Sequence, residues 1–251
     1  MGKEYLIAGN WKMFKTAGQS REFIHELAQS FVPVLGLEVA VFPPFTALAG
    51  LRGLAPHIRI GAQNMFYEEK GAFTGEISPL MLQELVDFVL IGHSERREIF
   101  KESDEDVNKK VRAALQFKLL PVLCVGETLQ EREAGKTKAK IKNQLEKAVQ
   151  GMANYEMSKM VVAYEPIWAI GTGRNATPAQ AQEVHHFIKG IWQKLAPGRN
   201  LKILYGGSVK PENSLELLAQ DDISGVLVGG ASLKVEQFSA IIHNCVQLLN
   251  K

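Results

Sequence analysis

Eight short apolar runs recur along the chain at an average interval of about 31 residues, the length of one βα unit. They span residues 5–9, 38–42, 58–62, 88–92, 119–125, 160–164, 201–205 and 225–228. Most are apolar throughout and rich in β-branched side chains, as expected of parallel strands that are buried on both faces. This repeat constrains the fold more than any other feature of the sequence.

Start signals for helices lie between these runs. Thr128 and Thr177 each precede a glutamate or glutamine by three residues, the spacing of a capping box, and Pro79 and Pro211 suit the first turn of a helix. No linker or shift in composition divides the chain. The alternation predicts an α/β fold in one domain, a single (β/α)8 barrel over residues 1–251, with a doubly wound sheet as the alternative.

Composition and charge exclude several classes of protein. The chain is 46% hydrophobic and 22% charged, which supports a packed core and argues against disorder. Its 29 basic and 27 acidic residues give a net charge of +2, too balanced to indicate nucleic acid or a membrane as a partner. Cys124 and Cys245 lack the spacing of a zinc site or a disulfide framework. With no apolar run long enough to span a bilayer and no signal-peptide pattern, we expect a cytoplasmic protein.

Polar side chains follow several of the predicted strands. Asn10 and Lys12 follow the first run, His93 the fourth, Glu127 the fifth and Glu165 the sixth. In a barrel of this kind, the active site is built at the C-terminal ends of the strands. The sequence therefore predicts one convergent polar site at that end.

Glu165 is the candidate general base. It directly follows the sixth run, where a partly desolvated carboxylate suits proton abstraction. A glutamate at a strand end could equally cap the next helix. The next segment, residues 166–173, favours catalysis, because it is apolar with two glycines and suits a lid that closes over a ligand.

His93 and Lys12 each have a competing explanation. A lone histidine is most often a satisfied core residue, but a place at a strand end beside the positive end of the next helix favours a functional residue with a neutral ring. Lys12 could be a surface charge, a Schiff-base nucleophile or a phosphate anchor. Glycine pairs at 206–207 and 229–230 favour the anchor, since backbone N–H groups after the last two strands of a barrel often bind phosphate. We expect a phosphorylated substrate.

Seven segments closely resemble the triosephosphate isomerase family, and the likeness runs along the whole chain. They are GNWKM at 9–13, GAFTGE at 71–76, IGHSERR at 91–97, CVGE at 124–127, AYEPIWAIGTG at 163–173, YGGS at 205–208 and GGAS at 229–232. The resemblance implies a TIM barrel and a place in glycolysis and gluconeogenesis. The histidine and carboxylate positions show no metal-ligand spacing and proton transfer needs no redox centre, so we expect no metal or organic cofactor.

The resemblance also implies roles for the polar residues. Glu165 would move a proton between C1 and C2 of dihydroxyacetone phosphate to give glyceraldehyde 3-phosphate, and neutral His93 would donate to the substrate oxygens as an enediolate forms. Lys12, paired with Glu95, would offset negative charge, and Asn10 would orient the substrate. Four backbone amides would hold the phosphate, those of Gly171, Ser208, Gly229 and Gly230.

Three further residues are implied to act on the lid. Tyr205, together with Ser208, would latch it when closed, and Glu127 would contact Trp168 in the open form. Arg174-Asn175 stands at the C-terminal hinge where Lys-Thr is usual in the family, which leaves the rate of lid motion open.

The connection at residues 64–77 predicts a homodimer at least. It carries Phe66, Tyr67 and Phe73 without a strand pattern. A self-packed loop on a monomer would also explain this, but exposed aromatic rings favour burial by a partner. The resemblance implies that the tip near Thr74 docks at the active site of the other subunit.

Two other functions compete with the isomerase. A barrel aldolase would use a Schiff base on the same phosphosugars, and it needs a buried lysine on a mid-barrel strand, which we do not expect in the eight runs. A phosphosugar-binding barrel would keep the glycine pairs while losing Glu165 or His93, and both are present.

Overall fold

The computed structural model describes residues 3–170 and 176–250, and its centre is a closed barrel of eight parallel strands. The strands are β1 Tyr5–Asn10, β2 Leu37–Phe42, β3 Ile58–Ala62, β4 Phe88–Ile91, β5 Leu120–Val125, β6 Val161–Tyr164, β7 Lys202–Tyr205 and β8 Gly225–Val228. Each strand pairs with the next along the chain, and β8 pairs with β1. This confirms the predicted (β/α)8 barrel, and the alternative of an open, doubly wound sheet is wrong.

Helices fill the connections between the strands. They are α1 Ala17–Ser30, α2 Phe45–Leu48, α3 Pro79–Leu82, α4 Ser94–Glu98, α5 Asp104–Gln116, α6 Leu129–Glu133, α7 Thr137–Ala148, α8 Asn154–Met157, α9 Pro178–Leu195, α10 Pro211–Leu218 and α11 Val235–Leu249, with 3-10 turns η1 Ile167–Ala169 and η2 Gly230–Leu233. The predicted caps are present, since Thr128 and Thr177 accept hydrogen bonds from the backbone N–H three residues on. Prolines 79 and 211 occupy the first turns of α3 and α10.

Alternation along each strand divides the core into two layers. One face of the strands fills the lumen with Leu6, Ala8, Ala40, Phe42, Phe88, Leu90, Val122, Cys124, Val161, Ala163, Leu204 and Leu227. The opposite face packs against the helices in a larger apolar cluster. Gly61 on β3 makes room for the Phe42 ring, because a Cβ at Gly61 would lie 2.2 Å from that ring. The lumen is therefore a packed core, and only its mouth is open to chemistry.

An ion cluster lies at the N-terminal end of the lumen. Lys202, on the lumen face of β7 two residues before Leu204, lies 2.8 Å from Glu38 and 3.1 Å from Glu4. Burial alone would lower the pKa of Lys202, but the two carboxylates outweigh burial and raise it. Contrary to our expectation, a predicted strand run does contain a lysine, but it is held as a cation at the end opposite the mouth.

The sequence also predicts the end of β1 and the length of the apolar runs. Asn10, predicted to follow the first strand, is the last residue of β1. Among the described residues, no helix is both long enough and apolar enough to cross a membrane.

Candidate active site

Seven of the predicted site residues line one cavity of about 770 Å³ at the C-terminal mouth of the barrel. Asn10 continues the lumen face of β1 after Leu6 and Ala8, and Glu165 continues that of β6 after Val161 and Ala163. Because side chains two apart along a strand share a face, both are aimed into the mouth. The predicted residues that line this cavity are Asn10, Lys12, His93, Glu165, Ser208, Gly229 and Gly230.

The Glu165 carboxylate is buried between a backbone donor and the imidazole of His93. Its Oε2 accepts a hydrogen bond of 2.8 Å from the backbone N–H of Ser94, the first residue of α4. Its Oε1 lies 3.2 Å from Nε2 of His93, and Glu165 is only 2% exposed. A buried carboxylate at the mouth of the barrel can act as a base towards a substrate bound in the cavity.

His93 is oriented by the helix that follows it. Its Nδ1 accepts a hydrogen bond of 3.2 Å from the backbone N–H of Glu95, so in the neutral ring the proton lies on Nε2. Nε2 is the atom that faces Glu165. In the neutral ring, Nε2–H would therefore be the group that can donate to a substrate oxygen, the role that the resemblance implies for His93.

Hydrogen bonds hold both the backbone N–H and the backbone carbonyl of Lys12. Its N–H donates to Oδ1 of Asn10 at 3.0 Å, and its carbonyl accepts from Nε2 of Gln63 at 2.8 Å. Its ammonium group pairs with Glu95, the partner predicted for it. Its φ of 51° is rare for a residue with a side chain, so these contacts hold a strained conformation.

The glycine pairs after β7 and β8 line the same cavity as Lys12. A Cβ at Gly229 would lie 3.8 Å from Cε of Lys12, so this backbone and the lysine border the same space. Gly230 begins η2, and its added Cβ would meet nothing within 4 Å. Ser208 lines the same cavity, and its carbonyl accepts from the Asn213 amide. Gly171, the fourth predicted phosphate contact, lies outside the described residues, as does Arg174-Asn175 at the predicted hinge.

Glu127 connects the loop after β5 to the segment after β6. It is fully buried, and its Oε1 accepts from the indole N–H of Trp168 at 2.9 Å and from the Tyr164 hydroxyl at 3.1 Å. The predicted contact between Glu127 and Trp168 is thus present. Arg132 lies 3.3 Å from the same oxygen. Tyr205 packs against Tyr164 on the outer face of the strands, and burial raises the pKa of its hydroxyl to about 12.

Two glycines leave the space that Glu165 occupies. A Cβ at Gly126 would lie 1.8 Å from the Glu165 carbonyl oxygen, and one at Gly206 would lie 2.9 Å from its Cγ. Cys124 lies on the lumen side near the same carboxylate. Burial and the charge of Glu165 raise the pKa of this thiol well above its usual value, so it stays neutral.

Comparison with known proteins identifies the family. A family model described as triosephosphate isomerase matches residues 5–245. The chain belongs to the triosephosphate isomerase family. This confirms the resemblance found in the sequence.

Relatives of that name match over nearly their whole length. The protein from Carboxydothermus hydrogenoformans is 51% identical over 248 residues, which cover 96% of this chain and 98% of the relative. The one from Roseiflexus sp. (strain RS-1) is 50% identical over 244 residues, 95% of this chain and 96% of the relative. The one from Clostridium tetani is 48% identical over 247 residues, 96% of each chain.

Three residues of the site were missed by sequence reasoning. Ser94 donates to Glu165 from its backbone N–H, and a pattern of side chains does not reveal a backbone contact. Gln63 directly follows β3, so the rule that polar residues at strand ends form the site could have found it. Arg132 lies on the short helix α6 and contacts the site only through Glu127 and Trp168, and no sequence pattern indicates this.

Thr74 lies apart from this cavity in its own chain. It is exposed at the tip of the connection after β3, beside Phe73, which is 44% exposed. Phe66 stacks on Tyr67 with ring centroids 4.2 Å apart and lies 4.6 Å from Phe73. The aromatic rings therefore pack partly on one another, and Phe73 remains available to a partner.

Proposed function

We propose that this chain interconverts dihydroxyacetone phosphate and glyceraldehyde 3-phosphate with Glu165 as the base and His93 as the acid. The activity is that of its family, which makes it an intramolecular oxidoreductase. The observation that carries the residue assignment is the buried contact of 3.2 Å between the Glu165 carboxylate and Nε2 of His93 at the barrel mouth. From these positions, Glu165 can remove a proton from a substrate carbon while His93 stabilises the negative charge that develops on the adjacent oxygen.

The reaction is a proton transfer through an enediolate. Glu165 removes a proton from C1, the electrons of that C–H bond form the C1–C2 double bond, and the carbonyl electrons move to oxygen. Nε2–H of His93 donates to that oxygen as charge develops. The O1–H proton then passes to O2 through His93, the electrons of that bond form the C1 carbonyl, and the electrons of the C1–C2 double bond take the proton back from Glu165 at C2. Substrate binding must therefore separate the imidazole of His93 from the Glu165 carboxylate, which lie 3.2 Å apart in the free chain.

Lys12 and the glycine pairs bind the charged parts of the substrate. The ammonium group lies beside Gly229, so a phosphate held by the amides of Ser208, Gly229 and Gly230 would lie next to it. Asn10, which fixes the Lys12 backbone, lines the same cavity and orients the substrate. The cation then also faces the second negative charge that develops on the enediolate.

The competing functions fit the residues less well. An aldolase nucleophile must be a neutral amine, whereas Lys202 is held as a cation by two carboxylates at the opposite end of the barrel. A binding-only barrel has no use for a buried carboxylate and imidazole in contact at the mouth.

Substitution of the base tests this assignment. Glu165→Gln keeps the size of the side chain but removes its ability to take a proton, so we expect kcat to fall by at least about 10²-fold. A coupled assay for each triose phosphate measures the effect, with Glu22→Gln, an exposed residue of α1, as the matched control. Borohydride should trap no substrate on the wild-type chain. Unchanged kcat in Glu165→Gln, or covalent labelling, would reject the assignment.

We further propose that the working unit is a homodimer in the cytoplasm, with no nucleic acid or membrane partner. Large exposed apolar side chains concentrate on the connections after β1, β3 and β4, at the same end as the site. They are Met13, Phe14, Phe73, Leu80, Met81, Ile99 and Phe100. A second copy that covers this surface could place Thr74 beside the partner's site. The near-neutral net charge of +2 gives no electrostatic reason to expect nucleic acid as a partner.

A further inference from the structure

We propose that Arg132 is a positioning residue that acts on Glu165 through Glu127 and Trp168. Arg132 does not line the cavity. Its guanidinium carbon lies 4.8 Å from the centroid of the Trp168 ring, and its NH1 lies 3.3 Å from Oε1 of Glu127. One side chain of α6 therefore touches both partners of the hydrogen bond that anchors η1. The inference rests on the proposed role of Glu165 as the base.

The segment that begins with Glu165 is tied to the loop after β5 by three hydrogen bonds. The backbone N–H of Glu165 donates to the Val125 carbonyl at 2.8 Å, and that of Ile167 donates to the Glu127 carbonyl at 3.1 Å. The Trp168 indole donates to the Glu127 carboxylate at 2.9 Å. Of these three hydrogen bonds, the one between Trp168 and Glu127 is made by two side chains, and Arg132 contacts both of them.

The charge of Glu127 explains why this arginine matters. Glu127 is fully buried, and its other two donors, Tyr164 and Trp168, are neutral. Within residues 3–170 and 176–250, Arg132 is the cation that pairs with it. A buried carboxylate without its cation is costly, so removal of Arg132 favours a rearrangement of Glu127 that weakens its hydrogen bond to Trp168.

Stacking adds a second constraint on Trp168. A guanidinium over an indole face is attracted by the ring electrons, most strongly where water is partly excluded. The Arg132 side chain is 24% exposed, so the contact is partly desolvated. Loss of both contacts frees η1 to shift, and because Glu165 lies two residues before η1, its carboxylate shifts as well. A displacement of about 1 Å at a reacting group can cost up to about 10²-fold in rate.

The test compares Arg132→Met and Arg132→Lys with Arg112→Met. Arg132→Met removes charge and stacking, Arg132→Lys keeps the charge but lacks the planar group, and Arg112 is an exposed arginine of α5 outside the site. We expect kcat of Arg132→Met to fall about fivefold to tenfold. KM should stay within twofold, because the phosphate is held by other elements. Arg132→Lys should recover only part of the loss, and Arg112→Met should match wild type.

Two further measurements separate positioning of the base from general damage. With substrate deuterated at the carbon that loses the proton, Arg132→Met should show a larger isotope effect on kcat than wild type, because proton transfer becomes slower. In protein labelled with 5-fluorotryptophan, the fluorine signal of Trp168, assigned with Trp168→Phe, should shift while the signals of buried Trp11 and Trp192 stay in place.

The outcomes distinguish the two proposals. Wild-type kcat and an unmoved Trp168 signal in Arg132→Met would overturn the role of Arg132, whatever Glu165→Gln shows. A shifted Trp168 signal with unchanged kcat and isotope effect would also overturn it, since Trp168 would then move without moving the base. If Glu165→Gln keeps full activity, the assignment of the base fails instead, and the Trp168 signal still reports whether Arg132 holds η1.

Discussion

Lys12 carries its charge on a backbone that most residues avoid. With φ at 51°, the residue depends on Asn10 and Gln63, which bind its N–H and its carbonyl. Left-handed backbone of this kind costs about 1–2 kcal/mol for a residue with a side chain. The cost is offset by the position it gives the ammonium group, between Glu95 and the backbone of Gly229.

Replacement of this cation should affect rate more than binding. In Lys12→Met we expect kcat to fall by on the order of 10²-fold or more, because a positive charge is lost where negative charge develops. KM should rise as well, since the phosphate loses a partner. Steady-state kinetics in both directions measure the split, with the exposed Lys142→Met on α7 as control. A rise in KM with intact kcat would make Lys12 an anchor for the phosphate alone.

The sequence predicted which side chains meet at the mouth better than it predicted what holds them. Asn10, His93 and Glu165 were found because strand ends of a barrel converge. The hydrogen bonds from Ser94 and Gln63 link distant parts of the chain through backbone groups. The position of Gln63 directly after β3 could have marked it as a site residue, but a backbone donor such as Ser94 leaves no side-chain pattern, and neither partner can be paired from sequence alone.

At the scale of elements, the backbone after β5 packs directly against the backbone after β6, with no room for a side chain between them. Gly126 follows β5 directly, and a side chain there would collide with the Glu165 carbonyl. The apolar runs predicted every strand to within about two residues. They did not predict this close approach, because periodicity along a strand says nothing about the distance to its neighbour.

Gly126→Ala should therefore damage stability and activity together. We expect a loss of about 1–3 kcal/mol in the free energy of unfolding, the usual cost of overpacking, and a fall in kcat as Glu165 is pushed aside. Gly190→Ala, in an exposed position of α9 with nothing within 4 Å of the added Cβ, should instead stabilise by about 0.4–1 kcal/mol. Urea unfolding at one fixed protein concentration compares the two. Equal stability in both variants would contradict the close approach of β5 and β6.

The packing of α9 against the loop before β8 predicts a dependence of stability on pH. His185 of α9 is fully buried, with Nδ1 3.3 Å from the Asp222 carbonyl, and burial lowers the pKa of its ring from 6.5 to about 4. The unfolded chain therefore binds the proton more readily. This contribution to stability is complete above pH 6.5 and is lost as the pH falls towards 4.

Comparison with His185→Gln isolates this contribution. Between pH 7 and pH 4, wild type should lose roughly 3 kcal/mol more of its free energy of unfolding than the variant does. Urea unfolding at several pH values measures both curves. Curves that run parallel over this range would show that His185 does not resist protonation in the folded chain.

At the scale of the whole molecule, the exposed aromatic connection after β3 predicts that activity depends on association. On dilution, activity and mass should fall together, from twice 27.8 kDa towards 27.8 kDa. Replacement of Phe73-Thr74 by Gly-Ser should produce the same loss at higher concentration, because Phe73 is the exposed ring of its cluster. Replacement of exposed Val32 by serine, at the other end of the barrel, is the control. A fully active monomer in analytical ultracentrifugation would contradict the dimer.

The pairing of β1 with β8 has a consequence for how the protein is made. The first strand to leave the ribosome finds one neighbour in β2, but its other edge waits until residues 225–228 have emerged. At roughly 5–20 residues per second, that edge stays unpaired for about 10–40 s of synthesis. An open strand edge is a template for pairing with other chains. The nascent chain therefore carries an open strand edge that can pair with other chains until β8 is made, and the barrel closes only when translation is nearly complete.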